Sequence, residues 1–159
     1  MVKSHCQQEE TSVKDHGAKK QYSSEGMADM NYQMLAKDKL KQLTSLRIAV
    51  CNLEQRIINL DKMIGWCKKE EDKLSLRAER EELIVLYRFR KADVQRIEQA
   101  LHTLDPQQRL ILDRFYIHRS AYHIERLSEE LGYERRAIYY HHDEALRQFA
   151  LALYGLVDG

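Results

Sequence analysis

The stretch ERRAIYYHHDEAL, residues 134 to 146, sets two arginines, two histidines and two tyrosines as adjacent pairs. Such residues serve two kinds of chemistry. Imidazoles ligate metals, whereas arginine and tyrosine hold phosphate or read base edges. Neighbouring positions on a helix point about 100° apart, so His141 and His142 do not easily share one ion. No cysteine or further spaced histidine completes a ligand set, and neither a metal nor another cofactor is expected. On the same wheel Ile138, His141 and Ala145 fall inward. Arg136, Tyr140, Asp143 and Arg147 fall outward, with Arg135 and Tyr139 at their edge. A DNA-reading helix needs this arrangement, because arginine pairs with guanine or phosphate and tyrosine donates to phosphate or meets a thymine methyl. DNA contact is therefore expected from Arg135, Arg136, Tyr139, Tyr140, Asp143 and Arg147. His141 is expected to pack within the motif and His142 to edge the interface. The alternative is a plain solvated face, which two tyrosines among arginines make unusual.

These residues must be positioned by helices. In LDPQQRLILDRFY, Asp105 suits a helix N-cap and Pro106 the first helical position. Leu104, Ile111 and Phe115 form the inward stripe, with Leu110 and Leu112 flanking. After the break IHRSA, Ile124, Leu127 and Leu131 recur at helical spacing. Gly132 can take the left-handed backbone that ends a helix, and Tyr133 packs just after it. A new helix starts near Glu134, with Ile138, Ala145 and Phe149 inward. Leu127, Leu131, Gly132, Tyr133 and Ile138 thus spell a helix-turn-helix, with Ser128 the small residue where its helices cross. From His118 to Arg147 five arginines meet six acids, so the module is not basic, and a dimer or protein partner would supplement its grip on DNA.

Upstream, Leu43, Leu46, Val50, Leu53, Ile57, Leu60 and Ile64 alternate spacings of three and four. β-Branched residues at one heptad position and leucine at the other suit a two-stranded coiled-coil seam, and these seven residues are the expected oligomerisation surface. CKKEEDK (67 to 73) lacks an apolar anchor and marks a connection. Leu83, Tyr87, Val94, Ile97, Leu101 and Leu104 then restart the pattern, interrupted by Arg80 and Arg90. Two long helices so joined form an antiparallel hairpin. The seam either pairs two chains as a homodimer or packs onto the C-terminal domain. The run RFRK (88 to 91) reads as a solvated face or an auxiliary phosphate contact. Residues 1–31 are nearly free of large aliphatics and are expected to be a disordered tail.

The chain is accordingly expected to be all-α: a tail over 1–31, a helical hairpin or coiled coil over 32–103 and a helix-turn-helix domain over 104–159. With 159 residues, 26 Lys and Arg against 25 Asp and Glu, 6 Gly and 1 Pro, bulk charge selects no partner and helices dominate. No run reaches the ~18 apolar residues of a membrane span, and the start lacks a signal-peptide core, so a cytoplasmic protein without membrane contact is expected. Cys6, Cys51 and Cys67 are odd in number and widely spaced, which excludes a disulfide framework; Cys51 and Cys67 are expected as buried thiols. There is no P-loop, no HExxH and no supported Ser/His/Asp set, so no enzyme is expected.

The string from LDPQQRLILDRFY through IERLSEELGYERRAIYYHHDEALRQFALALYG resembles region four of bacterial sigma-70 factors, which reads the upstream promoter element. It is closer still to sigma-region-4-like phage regulators of the RinA and ArpU type. The resemblance spans Leu104 to Tyr154, is most specific from Leu131 to Leu146, and upstream extends only to helical character. It implies a phage or prophage transcriptional regulator in which Arg135, Arg136, Tyr139 and Tyr140 match the DNA-reading turn. Two positions depart. His141 stands where sigma factors keep an aliphatic, and Glu134 where Ser or Thr caps the helix. Nothing resembles the sigma region for the downstream promoter element, so a complete sigma factor is not implied. Two other functions fit the pattern: a phage small terminase subunit recognising packaging DNA, and a helical module that binds RNA polymerase.

Overall fold

The computed structural model describes residues 24–156. The chain is all-helical in these residues, with five helices in the order α1 Ser24–Trp66, α2 Glu70–His102, α3 Pro106–Leu112, α4 His123–Leu131 and α5 Arg135–Tyr154. None of them is long and apolar enough to cross a membrane. α1 starts at Ser24, inside the span 1–31 expected to be a tail; residues 1–23 lie outside the described residues.

The connection falls within CKKEEDK, at residues 67–69. Glu70, Glu71 and Asp72 open α2, where carboxylates complement the positive end of the helix dipole. The two long helices run antiparallel, with ion pairs between them near both the open end and the turn. Lys39 meets Asp93 at 3.8 Å, Arg47 meets Glu98 at 2.8 Å, Arg56 meets Glu79 at 3.9 Å and Arg80 reaches back to Asp61. Exposed pairs of this kind contribute only ~0.2–1 kcal/mol each, so they set register more than stability.

Stability comes from the seam. Leu43, Leu46, Leu53 and Leu60 are buried within one chain, while Val50, Ile57 and Ile64 are half-buried. The surface expected to join two chains is therefore used inside one. Towards the 67–69 turn, Leu53 and Leu60 pack with Leu83, flanked by Ile57, Leu76 and Tyr87. Nearer the open end, Ala36, Leu40, Leu43 and Leu46 meet Val94, Ile97 and Ala100, and this cluster continues without a break into Leu104, Leu112, Ala145, Leu146, Phe149 and Ala150. Burying one such leucine contributes about 1.5–3 kcal/mol. The hairpin and the C-terminal helices thus share a core. Cys51 is exposed rather than buried, because inward-facing Val50 and Leu53 leave it on the outer side of α1; Cys67 is half-buried at the turn, and both thiols are free.

Asp105 caps α3 as expected, accepting from the Gln108 backbone N–H at 2.8 Å while the Gln108 side chain returns the bond in a capping box. Leu112, expected at the flank, is fully buried. One residue of helical rotation turns Ile111 and Leu112 towards different clusters: Ile111 joins Ile124, Leu127 and Ile138, and Leu112 joins the hairpin core. The end of α3 widens into one π-helical turn over Asp113–Ile117, closed by the His118 N–H donating to the Asp113 carbonyl at 2.8 Å. α5 is divided in the same way as α3. Ile138 belongs to the small C-terminal cluster, while Ala145, Leu146, Phe149 and Ala150 lie against the hairpin.

Phe149 is fully buried at this junction. Phe149→Ala should cost about 3–5 kcal/mol of unfolding free energy in urea titration, since it removes a ring both helical layers share.

Candidate nucleic-acid interface

Three residues, Gly132, Tyr133 and Glu134, separate α4 from α5. Gly132 has φ 70° and ψ 24°, and its N–H donates to the Ser128 carbonyl at 2.9 Å, ending α4. Ser128 Oγ donates to the Tyr133 carbonyl, which ties the turn to the helix before it. Leu127 and Ile138 are fully buried on either side of the turn, against Ile111 and Ile124, and Tyr133 packs on the same cluster. α4 and α5 are thus joined by a short glycine turn and pack together with α3 through one small apolar cluster. α5 begins without a side-chain cap: Glu134 occupies the capping position but makes no capping hydrogen bond.

The first turns of α5 present Arg135, Arg136, Tyr139 and Tyr140 to solvent, with Tyr140 69% and Tyr139 42% exposed. Arg135 is drawn back towards α4, its Nη1 lying 3.7 Å from Glu125. Arg136 forms no hydrogen bond or ion pair among the described residues, which leaves its five donors for an external acceptor. Arg147 is placed otherwise. It lies about 16 Å further along the helix than Arg136, at ~1.5 Å rise per residue. Its guanidinium grips Glu144 at 2.9 Å. Bonds from Arg147 and Gln148 hold the Glu144 carboxyl below the usual carboxylate range.

The histidines differ from expectation. His142, expected at the edge of the interface, is the buried one, while half-buried His141 stacks on Tyr133 with ring centroids 4.6 Å apart. The cause is the π turn, which brings both Phe115 and Tyr116 against α5. Phe115 stacks on the His142 ring at 4.3 Å, and the Tyr116 hydroxyl lies 2.6 Å from His142 Nε2. On the other side His142 Nδ1 lies 2.8 Å from Asp143 Oδ1. A carboxylate only accepts, so Nδ1 carries the proton and Nε2 accepts from Tyr116. Asp143, expected among the DNA contacts, is exposed but spends one oxygen on orienting this imidazole. Burial lowers the His142 pKa below its ordinary value, opposed by Asp143 and assisted by Lys37. Burial and the Asp143 charge push the Tyr116 hydroxyl up to about 12. This Tyr116–His142–Asp143 chain was missed in the sequence because it depends on a π turn that helical periodicity does not foresee.

Acids lie on the helix next to this exposed face. Glu125, Glu129 and Glu130 lie exposed on α4, and Arg114 reaches Glu130 at 3.8 Å. Tyr122, in the connection before α4, adopts left-handed backbone at φ 58° with its ring 73% exposed. A left-handed non-glycine residue stores local strain.

No family model, no curated protein and no solved structure matches the chain.

A Cβ at Gly132 would meet open space, so Gly132→Ala should lose only the cost of left-handed backbone, ~1–2 kcal/mol, with Gly132→Asn losing less; thermal unfolding of the two variants checks this. His142 is held neutral in the fold, whereas an unfolded histidine takes up a proton near pH ~6.5. Its contribution is thus fully present above that pH and lost as pH falls through and below it. Urea midpoints measured from about pH 7.5 to about pH 5 should fall more steeply for the native chain than for His142→Gln.

Proposed function

We propose that the protein is a sequence-specific DNA-binding transcriptional regulator of the phage type, a sigma-region-4-like module that lays α5 in the major groove. One observation carries the reading: α5 leaves the Gly132 turn with Arg136 unpaired and Tyr139 and Tyr140 exposed beside it. Arginine at the start of the second helix of such a motif reaches base edges, and flanking hydroxyls position the backbone. Arg135, held by Glu125, serves as a phosphate contact released from its acid on binding. Arg147 lies outside the reading turns, and Asp143 acts through His142.

The protein acts as a homodimer in this reading, since one module with acidic α4 has a modest hold on phosphate. With Leu43, Leu46, Leu53 and Leu60 already covered inside the chain, the dimer contact falls on other residues. α2 offers Val85 and Phe89, 67% and 60% exposed and one helical turn apart.

Selection of bound fragments from a genomic library, with particle mass measured by light scattering, tests the reading. A two-fold repeated site bound by a dimer supports it. A ring of many chains on one packaging locus indicates a terminase subunit, and a folded sample that enriches nothing indicates a protein partner such as RNA polymerase. On the selected site, Arg136→Ala should weaken binding by about 1–3 kcal/mol with unchanged unfolding, as measured by fluorescence anisotropy.

A further inference from the structure

A cleft of about 350 Å³ opens beside the reading face, where the hairpin meets the C-terminal helices. Its lining includes Lys37 and Lys41 from α1, Arg119 from the connection before α4, and Tyr139, His142 and Asp143 from α5. Among the described residues, none of the three cations forms a hydrogen bond or ion pair. Asp143 is the single carboxylate of the lining, and its Oδ1 is engaged by His142. Lys37 and Lys41 are four residues apart on α1, a spacing at which like charges repel by ~0.2–0.5 kcal/mol. Arg119 acts on the Tyr116 hydroxyl and Lys37 on the His142 imidazole, which places cations from two separate elements around one bonded pair. The larger cleft by α3, of about 650 Å³, differs in that Arg47 is matched by Glu98 and His118 by Asp113.

Tyr139 belongs both to this cleft and to the exposed face of α5. A strand followed by Tyr139 would therefore run past Lys37, Lys41 and Arg119. We propose that the cleft takes the phosphodiester backbone flanking the bases read by α5, making the hairpin helix α1 a second DNA-contacting element through Lys37 and Lys41, with Arg119 between the two. The inference rests on the DNA-binding reading above. It assigns the hairpin a direct role on DNA besides supporting the module.

Fluorescence anisotropy of the full chain across a salt series tests it, on a selected duplex and on one of random sequence. The triple variant Lys37→Ala, Lys41→Ala, Arg119→Ala should weaken binding to both duplexes alike and lower the slope of log affinity against log salt by about 1–3, as expected for up to three lost phosphate contacts. Lys37→Arg with Lys41→Arg should keep the native slope, and circular dichroism should show every variant folded. If the triple variant keeps native affinity and slope while Arg136→Ala loses preference for the selected duplex, the cleft is not a phosphate site and the DNA reading stands. If the native chain binds neither duplex, both proposals fall.

Discussion

The structure depends on the burial of the second half of α5 against the open end of the hairpin. Ala145, Leu146, Phe149 and Ala150 close over Leu40, Leu43, Val94 and Ile97, and Leu112 completes the cluster from α3. The first half of the same helix carries the exposed arginines and tyrosines. A helix is stiff over 20 residues, so anchoring one end sets the direction of the other. The hairpin is therefore what aims the exposed face of α5.

A second, smaller cluster of Ile111, Ile124, Leu127 and Ile138 holds α3, α4 and the start of α5 together. Between the two clusters lies the aromatic and polar layer of Phe115, Tyr116 and His142, which has no equivalent in a purely apolar junction. A buried polar group is tolerated only when its bonds are made, and His142 makes both of its own. That requirement fixes the imidazole tautomer and holds Asp143 in place. It also makes the junction between the clusters sensitive to proton concentration, because a second proton would place a charge on a buried ring.

Charge on the proposed reading face is local rather than general. Arg135 is held by Glu125, Arg114 reaches Glu130 and Arg147 grips Glu144, so these three arginines of the C-terminal part have an internal acid. Arg136, Arg119, Lys37 and Lys41 contrast with them, and the last three gather at one cleft. Non-specific attraction to DNA depends on the number of phosphates neutralised, so a small set of free cations favours a particular geometry over a general grip.

Much of this was legible in the residues themselves. The helical class, the break at residues 67–69, the Asp105 cap, the Gly132 turn and the inward positions of Ile138, Ala145 and Phe149 follow from local rules: periodicity, capping chemistry and the steric freedom of glycine. Exposure of Arg136 and Tyr140 follows from the same wheel. What only the tertiary structure decided is which surface meets which. A heptad stripe states that Leu43, Leu46, Leu53 and Leu60 seek an apolar partner, and it is equally satisfied by another chain or by α2 and α5 of its own. Ile111 and Leu112 serve two cores because the two clusters lie on adjoining sides of α3, and His142 is buried because the widened turn at Asp113–Ile117 packs its rings against it. That turn places Phe115 and Tyr116 side by side against α5. Local propensity carries no trace of it, because its stability comes from the rings it packs together across the fold.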